Sequence, residues 1–315
     1  STLLQLGSST ATPDGAVVDR IGDASSINLQ NGASLTMNGS SAAGTTLEQF
    51  GALVLNRVLI SPDIGGAAFT ITLNAAPGAE VELNAASLSR PYAGLTALVR
   101  GTSLGTAAGA NTSRLTLDSA AGSGLIGGGG GIGSLNASVL PYIVGDASAG
   151  GLGTDLVTYD ATLGIRPLAA GEYDTRVGAV GSTDHNVAIA AADTLTGDQT
   201  VNGLKLTGGT YTLGLGGFTL GVDSGALVFN PASAANVTVD NGTLDFGARE
   251  GIFHLTGAGV MTATVNAAIS GSSGLTLNST RSGNVLVLGG NNTFTGFVNV
   301  NGGVLALGSA TALNN

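Results

Sequence analysis

Apolar residues alternate with polar ones along most of the chain. The pairs Ile27/Leu29, Leu35/Met37, Val81/Leu83 and Leu115/Leu117 follow this pattern, as does the triplet Phe69/Ile71/Leu73. Further on it returns at Leu204/Leu206, Tyr211/Leu213/Leu215, Phe218/Leu220, Leu227/Phe229, Val237/Val239, Leu244/Phe246, Leu275/Leu277, Val298/Val300 and Leu305/Leu307. A period of two marks a strand with one buried face. Asn-Gly, Gly-Gly and Ser-Gly steps punctuate the pairs and predict turns. Within 204–246 the pairs restart so regularly that a sandwich with loops of varied length fits poorly. The spacing predicts short strands wound into a parallel β-helix, about three per coil of ~20–25 residues. Thr, Ser and Asn fill the outward positions, and Gly and Asn fill the corners, where positive φ is needed. Only 41–50 and 186–192 hint at a turn of helix, and neither has a cap and an apolar stripe.

One stretch breaks the rhythm. Residues 119–135 are rich in glycine and predict a loop. Residues 136–180 then bring Tyr142, Tyr159 and Tyr173 together with Pro141 and Pro167. The expected organisation is β-helix coils over 1–135, an inserted or capping element over 136–180, and coils again over 181–315.

Composition narrows the reading. Gly accounts for 53 of 315 residues, aromatics for 4%, and Trp and Cys are absent, so the core must be thin layers of aliphatic side chains. Disulfide frameworks and thiolate metal sites are excluded. With 43% hydrophobic and 10% charged residues the chain can offset its ordering entropy. Its net charge of −10 opposes nucleic-acid binding and anionic membrane surfaces. No apolar run is long enough to predict a membrane span.

Residues 264–315 carry a more specific signal. Gly274-Leu275-Thr276 leads to Val285–Leu288. Gly290-Asn291-Asn292-Thr293-Phe294-Thr295-Gly296, Val300-Asn301-Gly302-Gly303 and Leu305-Ala306-Leu307-Gly308 follow. This resembles the autotransporter-associated β-strand repeat of bacterial surface proteins, with Phe297 standing where the pattern has a second Gly. The segments Glu48 to Leu55, Leu88 to Gly105 and Leu140 to Leu168 resemble the larger modules that carry such repeats. The resemblance implies a right-handed parallel β-helix (a β-solenoid), extracellular on a bacterial cell surface, and it supplies no catalytic residues.

The first residues, STLLQLGSS, show no basic leader region. Read tail to head, LALGSATALNN and STLLQLGSS make an unbroken run of strand and corner. Neither resembles the polar cap of a free solenoid. The expectation is one unit of a tandem array or an end-to-end fibre, with ~14 coils at ~4.8 Å each.

Candidate chemistry is sparse. Gly101-Thr102-Ser103-Leu104-Gly105 matches a nucleophile elbow, but the helix that should follow is missing. Gly150-Gly151-Leu152-Gly153-Thr154-Asp155-Leu156-Val157 matches one calcium nonapeptide, whereas ions need consecutive copies, so a Gly-rich corner is favoured. Gly128, Gly130 and Gly133 form a dinucleotide-like pattern inside a pentaglycine run, again without a helix. His185 and His254 are far apart and read as surface imidazoles. Glu80 and Glu82 share a strand face and read as solvated, and Asp14, Asp19, Asp23, Asp240 and Asp245 are scattered. Asn-x-Ser/Thr triplets at Asn38, Asn111, Asn136, Asn236, Asn241, Asn278 and Asn291 read mostly as corners.

The expected function is therefore structural, with no catalytic residue, no metal and no cofactor. The expected partner is another copy or unit, joined end to end. An adhesin binding surface glycans or proteins through 119–180 is the second expectation, and a polysaccharide-active enzyme the third.

Overall fold

The computed structural model describes residues 2–6, 20–40, 44–57, 65–179, 181, 183–232, 234–257 and 259–314. Asp14, Asp19 and residues 41–43 lie outside this set. The described chain is all-β, its strands pair almost entirely in parallel, and its only helical turns are the two 3-10 turns Ala170–Glu172 and Val177–Ala179. The hints of helix resolve into strands Gly44–Asn56 and Val187–Ile189, because their alternating apolar residues find parallel partners.

Two compact units divide the chain. The first holds Ser1–Leu125, Ile143–Gly153 and Val157–Pro167, and the second holds Ile126–Tyr142, Thr154–Leu156 and Leu168–Asn315. Residues 136–180 thus contribute to both.

In the second unit the chain visits three parallel sheets in turn. Strands Val187–Ile189, Asp193–Thr194 and Gln199–Val201 belong to different sheets, and Leu204–Gly208 returns to the first. Side-chain bonds between neighbouring circuits mostly span 19 to 27 residues here, for example Ser309 to Gly290, Ile269 to Asn292 and Thr256 to Phe229. In-register pairing stacks like on like. Leu213, Val239, Val265 and Leu288 form one inward column, each fully buried. Leu227, Phe253 and Leu277 form another. Phe253 sits between Phe229, with ring centroids 6.4 Å apart, and Phe246, edge-on at 5.7 Å. Such aromatic contacts add about 0.5–1.5 kcal/mol each beyond burial.

The first unit uses two sheets rather than three. Strands Ser34–Asn38, Ala67–Asn74 and Leu95–Gly101 stack in one, and Ile27–Gln30, Gly44–Asn56, Ala79–Ser89 and Thr112–Ser119 in the other. Bonds between its neighbouring circuits span 26 to 36 residues, as in Ala52 to Ser26, Arg100 to Thr72 and Asn74 to Asn38. Strands of 13 and 11 residues make this possible, since two long walls enclose the volume that three short ones enclose elsewhere. Longer circuits also mean fewer of them than the ~14 predicted from an even spacing. Leu35, Ile71 and Val99 form a buried inward column, and Asp155–Asp160 with Gly164–Pro167 adds one antiparallel pair.

Corners follow the predicted chemistry. Asn31, Asn111 and Asn241 take φ of 53°, 60° and 60°, a region that asparagine tolerates by bonding its own backbone. At Gly225, φ is +79° and a Cβ would lie 2.1 Å from the Glu250 carbonyl oxygen of the next circuit. Gly217 has a similar φ of +85° but open space around it. Changing Gly217 to Ala should therefore cost about 1–2 kcal/mol from backbone strain alone. Gly225→Ala must cost clearly more, because strand spacing has to give as well. Urea denaturation of the two variants checks the order, and equal losses would contradict the close-approach argument.

The segment 264–315 gives physical reasons for its pattern. Asn292 is buried, accepts the Ile269 amide at 2.8 Å and donates to the Ala312 carbonyl at 2.7 Å, so one side chain ties together three successive passes of the chain. Phe294 is buried in the same core. Gly290 packs against the Ala267 carbonyl and Gly302 against that of Ser279, where a Cβ would stand 2.3 and 2.4 Å away. Phe297 projects outward at 57% exposure. Asn292→Ala should cost about 2–4 kcal/mol through two lost bonds and a stranded amide. The exposed neighbour change Asn291→Ala should stay near or below ~1 kcal/mol. Thermal unfolding of the pair tests this, and a silent Asn292→Ala would refute the tie.

Candidate functional site

The second unit contains a cleft of about 500 Å³ on its surface. Its floor is the outward column of the third sheet, where Thr200, Gly221 and Asp245 stack in register. Gly221 has no side chain to fill the space between its neighbours. The corner that follows contributes Asp223 to one side, and Gly247-Ala248-Arg249 contributes to the other. The remaining wall is Ile126-Gly127-Gly128, from the glycine run. Asp184 and Asn202 complete the lining.

That glycine run is not slack loop. Ile126 and Val139 exchange both backbone bonds at 2.9 and 2.8 Å. The Gly133 amide donates to the buried Glu172 carboxylate at 2.9 Å, and the Ala169 amide caps its other oxygen at 2.7 Å. A Cβ on Gly128 would stand 2.2 Å from Asp184 Oδ2, and one on Gly130 would stand 2.1 Å from Asn136 Oδ1. Glycine is required so that the backbone can lie against polar side chains.

The carboxylates of the cleft are oriented by neighbours. Asn136 donates to Asp184 at 3.3 Å, and Ser270 donates to Asp245 from the next circuit. Asn202 is 1% exposed and donates to the Ile126 carbonyl at 3.1 Å and to Asn186 at 3.0 Å. Its Oδ1 is buried and has no hydrogen-bond partner. Among the described residues no group of three or more His, Asp or Glu is placed to hold a metal ion.

The sequence-derived candidates fall elsewhere. Ser103 does take a positive φ of 49°, as an elbow would, but turns follow and Thr106 bonds back to its carbonyl. In the calcium-like segment, Gly151 and Gly153 wrap the Asp146 carboxylate, which accepts the Gly153 amide at 3.0 Å. Asp155 bonds instead to Lys205, the chain's single lysine, and to the Tyr173 hydroxyl. Glu80 is not solvated as expected. It is 8% exposed, and Arg114 on the paired strand bridges it at 2.8 Å and Glu82 at 2.5 Å, which offsets part of the charge of the shared face. His185 lies 2.6 Å from Asp174. His254 is fully buried rather than at the surface. Its Nε2 faces the Pro141 carbonyl at 2.9 Å, which requires a proton there, while Nδ1 accepts from Asn278 at 2.9 Å. The register places it on the outward face of the first sheet, beside Val228. Asn278 is buried with it and is no glycosylation acceptor.

The cleft itself was missed in sequence. Asp184, Asp223 and Asp245 are far apart along the chain, and only the winding of the circuits brings them to one cleft. Comparison with known proteins finds no matching family model, no matching curated protein and no matching solved structure.

Tyr173 gives this region a pH signature. Burial pushes its phenol well above the ordinary value, and the charge of Asp155 adds to the effect. An unfolded chain loses that proton first, from about pH 10, so it binds fewer protons than the folded chain. Stability from Tyr173 is therefore fully present below pH ~10 and is lost as pH rises toward the folded value. Tyr173→Phe should flatten the fall in unfolding free energy between pH 9 and 11. Identical slopes in urea titrations of both proteins would sink this prediction.

Proposed function

We propose that the chain is a structural scaffold of the bacterial cell surface, a right-handed β-solenoid that lengthens by adding parallel circuits, and that it is not an enzyme. The observation that carries the reading is in-register parallel stacking, which turns each inward position of a circuit into a buried column. Leu288 is fully buried within its column, whereas Leu307, the next member, is 54% exposed. Likewise Leu277 is buried and Val300 above it is 50% exposed. Phe297 and Val304 extend this apolar rim. Unpaired strand edges with inward apolar residues form a template for a further parallel strand. In the first unit, Leu3 and Leu4 of strand Leu3–Leu6 are likewise exposed, at 56% and 39%.

The resemblance of 264–315 to autotransporter-associated repeats supports the surface location, and the roles of Asn292, Phe294 and Gly290 give that pattern a structural reason. No helix among the described residues is long and apolar enough to cross a membrane. A second reading, an adhesin that binds ligands through the 119–180 region, is favoured by one observation: Ile126-Gly127-Gly128 walls a cleft.

Sedimentation and electron microscopy test the first reading. The chain should form end-to-end species whose abundance rises with concentration. Val300→Lys with Leu307→Lys should reduce them at least tenfold while leaving the unfolding midpoint nearly unchanged, since both sites are half exposed. A wild-type chain that stays monomeric at millimolar concentration would overturn the reading.

A further inference from the structure

We propose that Lys205 and Asp155 join covalently, by an amide bond between Nζ and Cγ that the chain forms on itself. The bond is independent of end-to-end assembly and of any ligand. Lys205 is the chain's single lysine. Elsewhere arginine pairs with the largely buried carboxylates, at Glu48, Glu80 and Asp193. A guanidinium stays protonated and is no nucleophile, whereas an amine can be one. The one amine side chain thus stands where a carboxyl group meets it directly.

Both partners are held in place. Lys205 lies on the outward face of strand Leu204–Gly208, with Ala188 and Val228 beside it on the paired strands. Its Nζ donates to Asp155 Oδ1, and each side chain is 16% exposed. The neighbours of Asp155 are pinned on either side. Asn230 donates to the Thr154 carbonyl at 3.1 Å, and the Leu168 amide donates to the Leu156 carbonyl at 2.8 Å. The Tyr173 hydroxyl donates to the same Asp155 oxygen at 3.3 Å. Its ring belongs to the small apolar core of Val139, Leu156, Leu168 and Val228, with Lys205 Nζ 5.7 Å from the ring centroid. Holding reactants in contact replaces a bimolecular encounter with a step inside one site.

The reaction needs nothing but the pair. One ammonium proton passes to the carboxylate and comes to rest on Oδ2, leaving an amine and a carboxylic acid. Nζ then attacks Cγ, and negative charge develops on Oδ1, where the Tyr173 hydroxyl donates. A proton from Nζ goes to the Oδ2 hydroxyl, the Cγ–Oδ2 bond breaks, and water leaves. An ammonium and a carboxylate have become one amide and one water, with no oxidant, reductant or co-reactant. Burial raises the Tyr173 phenol well above its ordinary value, so it stays a donor throughout. The amide also removes the desolvation cost of an ion pair kept beside apolar groups. It fastens residues 154–156 to a strand whose backbone, among the described residues, pairs with Val187–Ile189 and Ala226–Pro231 instead.

The single lysine gives a direct test. A lysine-specific protease cuts the unlinked, denatured chain once, after Lys205, into residues 1–205 and 206–315. The denatured wild-type chain should instead resist it, and its intact mass should be lower than the sequence mass by one water. Asp155→Ala should restore the full mass and the single cut. Lys205→Arg, which keeps the ion pair, should restore the full mass with an unchanged circular dichroism spectrum. Tyr173→Phe, sampled at intervals after cell-free synthesis, should lose water about a hundredfold more slowly. A wild-type chain at full mass that is cut once would overturn the bond. So would a loss of water that persists in Lys205→Arg, since the dehydration would then lie elsewhere. A Tyr173→Phe chain that matches the wild-type rate would overturn the role given to its hydroxyl.

Discussion

In-register parallel pairing is the constraint on which the rest depends. Each strand places its side chains directly over those of the circuit before, so a position in the repeat becomes a column in space. Leu213, Val239, Val265 and Leu288 share one column because their strands pair without slippage. A slip of one residue would turn every such leucine outward. The register is also what brings Thr200, Gly221 and Asp245 into line on the outer surface. Core and cleft are the two faces of the same pairing.

Close stacking also dictates the corners. Circuits lie one strand spacing apart, so a corner side chain faces the backbone above and below it. The chain meets this in two ways. Glycine removes the side chain where a carbonyl approaches, as at Gly225 and Gly274. Asparagine instead uses its side chain to satisfy the neighbouring circuit, as Asn284 does by accepting the Met261 amide and donating to the Leu255 carbonyl. Buried amides of this kind stabilise only when fully bonded. Asn202 departs from that rule on one oxygen, and it does so on the wall of the cleft.

The strands were legible because a half-buried strand needs only the local alternation of Leu, Val and Thr. The three-strand circuit of the second unit was legible because short strands and Gly corners recur at even intervals. The two-sheet circuit of the first unit was not. Strand Gly44–Asn56 reads as alternation broken at Gly51, where the backbone packs against Ser25, and nothing local announces its length. The burial of His254 was also hidden, since its partners Pro141 and Asn278 lie 113 and 24 residues away. A glycine run has no sequence feature that separates slack loop from tight packing. Only the approach of Asp184 and Asn136 distinguishes them here.

The cleft sits where it does because the outer faces of the second unit are used unequally. On the first sheet the outward column runs through Ala188, Lys205, Val228 and His254. Ala137, Val139, Leu156, Leu168 and Tyr173 pack over it as a second, smaller core. Lys205, the only lysine, is matched there by Asp155 and lies 5.7 Å from the Tyr173 ring centroid. The covering segment reaches the edge of the third sheet at Ile126-Gly127-Gly128. There the outward column is Thr200, Gly221 and Asp245, which offers no aliphatic side chain for a further core. A polar column with a glycine at its centre leaves a gap instead, and carboxylates rather than aliphatic groups line that gap.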